Sequence, residues 1–169
     1  MTILWLRRLC DIAYRKAQRS WPSLIFLRLL ALVSLLDAKG TPGITERAWV
    51  LHGSDGLDEM TTTGPTHVVE LADGQLRRFE ITPEEAGLAR AAPEALKGGE
   101  PSENAQALRD VVSGKPGAYR DIAILNAAGA LVVAGKAATL KDGAGMAAKA
   151  IDSGKVSALL DRVIAVTNA

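Results

Sequence analysis

Two runs of strand-forming residues, Thr66 to Leu71 and Leu76 to Thr82, face each other across Ala72-Asp73-Gly74-Gln75. Beyond Thr82 the chain never returns to that pattern. Asp-Gly between such runs is a strong hairpin signal, because Gly74 tolerates a positive φ without a Cβ clash. The alternation Leu76, Arg77, Arg78, Phe79, Glu80, Ile81 is imperfect, which predicts one exposed hairpin face. Upstream, Ala48-Trp49-Val50-Leu51 reads as a buried strand running into His52-Gly53. Downstream, Thr82-Pro83-Glu84-Glu85 combines an N-cap, a proline at the first helical position and a glutamate that closes a capping box. Gly87 ends that short helix. Further helices are expected from Glu103 to about Val112 with Ser102 as cap, and from Asp121 to Ala134 as a buried central helix. Two more follow, from Thr139 to Gly154 and from Lys155 to about Val166. The expected fold class is α/β: one strand plus a hairpin, followed by a helical carboxyl-terminal part.

Length and charge narrow the function classes. A chain of 169 residues is expected to form one domain with an ordinary core. Its 20 Lys+Arg balance 19 Asp+Glu. A nearly neutral chain is not built as a general nucleic-acid binder, which needs clustered cations for phosphates. Aromatic residues are 4%, so the core must be mostly Ala, Leu, Val and Ile. Cys10 is the single cysteine, which excludes an intrachain disulfide and a multi-cysteine zinc site. Two histidines give little material for a histidine-based metal site. A reducing, cytoplasmic setting is the simplest expectation.

Residues 1–44 differ in character from the remainder. Arg7, Arg8, Arg15, Lys16 and Arg19 stand against one acid, Asp11, ahead of the apolar run Leu24 to Leu36. That run is too short for a membrane span, which needs ~20 residues, and Arg28 interrupts it. A secretory signal fits poorly, because no small-x-small cleavage site follows. An amphipathic or buried helix is the preferred reading of the segment, with no stable membrane span.

The chemistry is expected in His52-Gly53-Ser54-Asp55-Gly56-Leu57-Asp58-Glu59-Met60-Thr61-Thr62-Thr63-Gly64-Pro65. This stretch follows a strand, and ligands in open α/β sheets bind beyond the carboxyl ends of strands. Adjacent Asp58 and Glu59 repel each other unless a positive charge lies beside them. Mg2+ would answer that charge, since it takes one or two carboxylates and completes its shell with water and substrate phosphates. A solvated acidic turn is the competing reading, and Asp55 fits either as a further ligand or as a turn cap. Lys97-Gly98-Gly99-Glu100 reads as a turn rather than a phosphate cradle. Asn126 on the central helix must find hydrogen-bond partners there. His52 and His67 read as structural, and no nucleophile–base set is recognisable.

These residues resemble the carboxyl-terminal portion of the anthranilate phosphoribosyltransferase family over residues 46–168. The resemblance rests on Val50-Leu51-His52-Gly53-Ser54-Asp55-Gly56-Leu57-Asp58-Glu59 and Thr62-Thr63-Gly64-Pro65-Thr66. It continues through Thr82-Pro83-Glu84, Leu96-Lys97-Gly98-Gly99 and Glu103-Asn104-Ala105. It closes with Leu125-Asn126-Ala127-Ala128-Gly129-Ala130-Leu131 and Ala150-Ile151-Asp152-Ser153-Gly154. The resemblance implies a partial mixed-sheet, nucleoside-phosphorylase-like domain over residues 45–169. It implies transfer of phosphoribosyl from phosphoribosyl pyrophosphate to anthranilate in tryptophan biosynthesis. It also implies Mg2+ bound by the Asp-Glu pair of a His-Gly-x-x-Gly-x-Asp-Glu loop, which places Asp58 and Glu59 as metal ligands. No catalytic residue is carried over.

The chain departs from the family in its amino-terminal part. The Gly-Thr-Gly-Gly-Asp loop for pyrophosphate and the Lys-His-Gly-Asn segment have no counterpart, and residues 1–44 match neither. The chain is therefore expected to be a transferase fragment with little or no turnover alone, its first 44 residues read from another frame or start, or else a shortened protein with a different amino-terminal partner helix. A non-catalytic or complementing module that retains the Mg2+ loop is the alternative. Family members are commonly homodimers through a helical domain that is missing here, so the dimer is not carried over.

Overall fold

The computed structural model describes residues 47–168. The reading of residues 1–44, and Cys10 with it, lies outside the described residues. Three strands, β1 (Arg47–Gly53), β2 (Thr66–Ala72) and β3 (Gln75–Ile81), form an antiparallel sheet in the order β1-β2-β3. Asp73 and Gly74 both take positive φ, 50° and 69°. That is the mirror-type turn whose twist matches a hairpin. A two-residue turn there sets residue 70 opposite 77 and residue 67 opposite 80. Side-chain pairs occupy both positions: Glu70 with Arg77, and His67 Nδ1 at 3.1 Å from Glu80 Oε1. β3 is exposed along most of its length, as the imperfect alternation predicts, whereas β1 is half-buried rather than buried.

After the sheet the chain is helical. The short helix from Thr82 is a 3-10 turn, Pro83–Ala86. The Thr82 N–H donates to the Glu85 carboxylate at 2.9 Å, and Gly87 caps the turn in the left-handed region. A second 3-10 turn, Pro93–Leu96, has no counterpart in the sequence reading. Four α-helices follow among the described residues: α1 (Pro101–Val112), α2 (Ala118–Val133), α3 (Leu140–Asp152) and α4 (Lys155–Thr167). α1 is capped by Glu100 rather than Ser102. The Glu100 N–H donates to Glu103 Oε2 at 2.8 Å, and Pro101 takes the first helical position, where a missing N–H costs nothing. α2 starts three residues before Asp121, because Gly117 provides the extended entry. α3 begins as expected: Thr139 Oγ1 accepts the Asp142 N–H at 3.1 Å.

The described residues divide into two compact units, 47–50 with Val69–Arg77, and Leu51–Val68 with 78–168. In the first, the described part centres on Glu70, with Val69 and Leu71 buried beside it. In the second, the core is Met60, Val68, Ile81, Ile124, Leu125, Ala128, Val132, Leu140, Ala144, Ala147 and Ile151. The small residues there have a steric purpose. A Cβ at Gly143 of α3 would lie 2.9 Å from both Cα and O of Ala128 on α2, so these helices meet backbone to backbone. α4 buries none of its residues. Among the described residues no helix is long and apolar enough to cross a membrane.

Candidate metal site in the loop after the first strand

The stretch singled out in the sequence joins β1 to β2 as a loop tied to itself. At its base the Ser54 N–H donates to the Pro65 carbonyl at 2.9 Å. The Gly53 N–H donates to Leu57 O at 2.9 Å, and the Gly56 N–H to Gly53 O at 3.0 Å. Gly64 lies close to Ser54, whose exposed hydroxyl is the nearest group to the space a Cβ there would take.

Asp55 supplies the inner brace. Its Oδ2 accepts hydrogen bonds from the Thr61 hydroxyl at 2.5 Å and the Thr63 hydroxyl at 2.7 Å. Its Oδ1 accepts the Leu57 N–H at 3.2 Å. Partial burial pushes the Asp55 carboxyl up, but the two hydroxyls and the backbone N–H favour the anion more strongly, and its pKa lies below the ordinary aspartate value. Asp55 thus acts as the turn's brace, with both oxygens engaged. Thr61 extends the network: its N–H donates to Thr66 Oγ1 at 3.0 Å, and its Oγ1 accepts the Thr63 N–H at 3.0 Å.

The loop is also held from outside. The Thr62 carbonyl accepts the Ala91 N–H at 2.9 Å. Met60 is buried, and its peptide groups are gripped by Asn126 of α2. Asn126 Oδ1 accepts the Met60 N–H at 2.9 Å, and Asn126 Nδ2 donates to Met60 O at 2.8 Å. A cavity of about 410 Å3 opens beside the loop, lined by Asp55, Leu57 and Thr63 on one side and by Pro93, Glu94, Leu96 and Lys97 on the other.

Against this background Asp58 and Glu59 stand apart. Both are exposed, and among the described residues their carboxylates make no hydrogen bond or ion pair. No third Asp, Glu, His or Cys joins them in a cluster able to hold a metal among the described residues. Two free carboxylates side by side suit a cation that takes the rest of its shell from water and phosphate oxygens, as Mg2+ does. They do not suit a closed site such as structural zinc, which requires four protein ligands. The residues present therefore fit Mg2+ as an open, two-carboxylate site.

The other candidates resolve as structural. The Gly99 N–H donates to Asn104 Oδ1 at 3.0 Å while Asn104 Nδ2 donates to Gly99 O at 2.8 Å, so Lys97-Gly98-Gly99-Glu100 is a side-chain-clamped turn. Tyr119 Oη donates to Lys97 O at 2.8 Å and fastens the same turn to α2. His67 is paired across the hairpin, and His52 lies half-buried within β1. The sequence reading did not find the Asp55–Thr61–Thr63 brace. Its signal was an aspartate followed within one glycine-bounded loop by three successive threonines.

Residues 32–157 match the family model described as glycosyl transferase family, a/b domain. The chain is 60% identical over 124 residues to an anthranilate phosphoribosyltransferase of Parvibaculum lavamentivorans, covering 73% of this chain and 36% of that protein. It is 63% identical over 123 residues to one of Methylobacterium nodulans, with 73% and 36% covered. A crystal structure of the Thermus thermophilus enzyme of that name superposes with a TM-score of 0.65 at 40% identity, over 73% of this chain and 36% of the other. The Saccharomyces cerevisiae enzyme, in complex with phosphoribosyl pyrophosphate and Mg, superposes with a TM-score of 0.61 at 27% identity, over 67% and 33%. The chain spans about a third of the length of the curated relatives it matches.

Proposed function

This chain belongs to the glycosyl transferase family, and we propose that within it the chain supplies the Mg2+-binding carboxyl-terminal part of an anthranilate phosphoribosyltransferase. The observation that carries the reading is the pair Asp58 and Glu59, exposed and unpaired among the described residues, in a loop whose neighbouring polar groups are tied down. In the proposed reaction the bond from the ribose anomeric carbon to pyrophosphate breaks. A bond from that carbon to the anthranilate nitrogen forms, and the proton the amine then loses passes to solvent. Mg2+, when bound, neutralises charge on the departing pyrophosphate. Asp58 and Glu59 hold the cation, and Asp55, Thr61 and Thr63 hold the loop at fixed geometry. Fixed geometry is what electrostatic stabilisation of a developing charge requires, because no reorganisation is then left for the moment of reaction. The Cys10-only cysteine content suits a cytoplasmic biosynthetic enzyme.

The chain by itself is expected to turn over little or nothing. Contacts made only in the transition state determine the rate, and the pyrophosphate loop known from the family has no match in this sequence. One structural feature favours the complementing-module reading: α4 exposes Leu159, Val163, Ile164 and Val166. An apolar face of that kind is normally covered by a partner. The test is an assay with anthranilate, phosphoribosyl pyrophosphate and Mg2+. It uses the chain alone and the chain mixed with the separately produced amino-terminal two-thirds of the Parvibaculum relative. Turnover only in the mixture, abolished by D58N/E59Q, is expected. Clear turnover by the chain alone would overturn the fragment reading, and turnover in the mixture that survives D58N/E59Q would overturn the metal assignment.

A further inference from the structure

Asn126 spends its whole amide on the backbone of one loop residue and one turn of its own helix. Oδ1 accepts the Met60 N–H at 2.9 Å, Nδ2 donates to Met60 O at 2.8 Å, and the second Nδ2 hydrogen goes to Ile122 O at 3.0 Å. The two contacts to Met60 reproduce what a neighbouring strand would offer, from a residue 66 positions away in the sequence. Met60 directly follows Glu59, and its side chain is fully buried. The peptide after the carboxylate pair is thus anchored on three sides: by the Met60 side chain in the core, and by Asn126 at both N–H and C=O.

We propose that Asn126 is a positioning residue for the metal site, fixing the direction in which Asp58 and Glu59 present their carboxylates by clamping the Met60 backbone. The inference rests on the reading of Asp58 and Glu59 as Mg2+ ligands. Only a primary amide of this length makes both Met60 contacts, since one needs an acceptor and the other a donor. A carboxylate at the same place accepts from the Met60 N–H but faces the carbonyls of Met60 and Ile122 with no proton to give. Aspartate should therefore fail although its shape is nearly identical. Outer residues that orient metal ligands commonly set affinity by about 10–100-fold, and losses in that range are expected here.

The test measures binding of Mn2+ alone, the paramagnetic stand-in for Mg2+, to the full chain by loss of the free-ion resonance. Hydrogen exchange at Met60 and a thermal melt accompany it. The proteins are wild type, D58N/E59Q, N126A and N126D. The expected result is saturable binding by wild type that D58N/E59Q abolishes. N126A and N126D, assayed well below their melting midpoints, lose about tenfold or more in affinity together with Met60 protection. A purely structural asparagine would lower the melting midpoint and leave the affinity of the folded protein unchanged. Wild-type affinity in a folded N126A or N126D overturns the positioning role while the metal reading stands. Absent wild-type binding, or binding that D58N/E59Q does not affect, overturns the metal reading and the positioning role with it. If N126A does not melt cooperatively, N126D decides, because it keeps the size and one acceptor of the native side chain.

Discussion

A fully buried carboxylate persists only where its charge is answered, and Glu70 is answered from three sides. Its side chain is 1% exposed. Oε1 accepts the Trp49 Nε1–H at 2.9 Å and the Arg47 Nε–H at 2.8 Å, and Oε2 accepts the Arg77 Nε–H at 3.0 Å. Burial pushes the carboxyl up, but Trp49, Arg77 and Arg47 together hold it at about 2, against an ordinary 4.5. A depressed carboxylate adds stability that is complete above the unfolded value and fades as pH falls through the folded one. The contribution of Glu70 should therefore be lost between pH 4.5 and about 2. Its size is about 2–3 kcal/mol, allowing for screening by solvent around Arg77. E70Q should lower stability near neutral pH by that order and flatten the acid limb, as urea melts across the window would show. An acid limb identical to wild type would contradict this. The network was partly legible in the sequence. Glu70 lies opposite Arg77 across the two-residue turn, so that pair follows once the hairpin register is set. Trp49 and Arg47 were not legible, because the pairing of β1 with β2 is not encoded in any local turn.

At the scale of elements, the punctuation residues proved the most readable. Asp73-Gly74 gave the hairpin, Thr139 with Asp142 the start of α3, and Gly87 the end of the first 3-10 turn. Each acts through its own backbone or a neighbour three residues away, so the sequence carries the information locally. The start of α2 and the cap of α1 were misplaced where a glycine or an N-capping glutamate outweighed the more usual signals. The packing of α2 on α3 was only half legible. Ala127-Ala128-Gly129-Ala130 stand in the sequence as a run of small residues, but the register that opposes Gly143 to Ala128 is a property of the folded pair. That contact is testable. G143A places a methyl group against backbone atoms that cannot rotate away, and overpacking of this kind costs about 1–3 kcal/mol. A drop in thermal midpoint is expected despite the better helix propensity of alanine. A gain in stability would show that the helices separate easily.

On the scale of the whole molecule, the described residues show a braced loop and an exposed apolar helix face. The β1–β2 loop, which carries Asp58 and Glu59, is braced internally by Asp55 and anchored externally by Asn126. By contrast, α4 leaves Leu159, Val163 and Val166 at 55%, 51% and 77% exposure. Val156, Leu159, Leu160, Val163 and Ile164 recur at helical spacing in the sequence, but periodicity reports which face is apolar and not what lies against it. A chain covering 36% of its relatives is expected to carry part of a function, and the part proposed here is cation binding. The direct measurement is a calorimetric titration of Mg2+ into the full chain with inorganic pyrophosphate present, for wild type and D58N/E59Q. Saturable binding of one Mg2+ per chain that disappears in D58N/E59Q is the predicted result. Binding that is absent in wild type, or equal in both proteins, would contradict the assignment of Asp58 and Glu59 as the metal site.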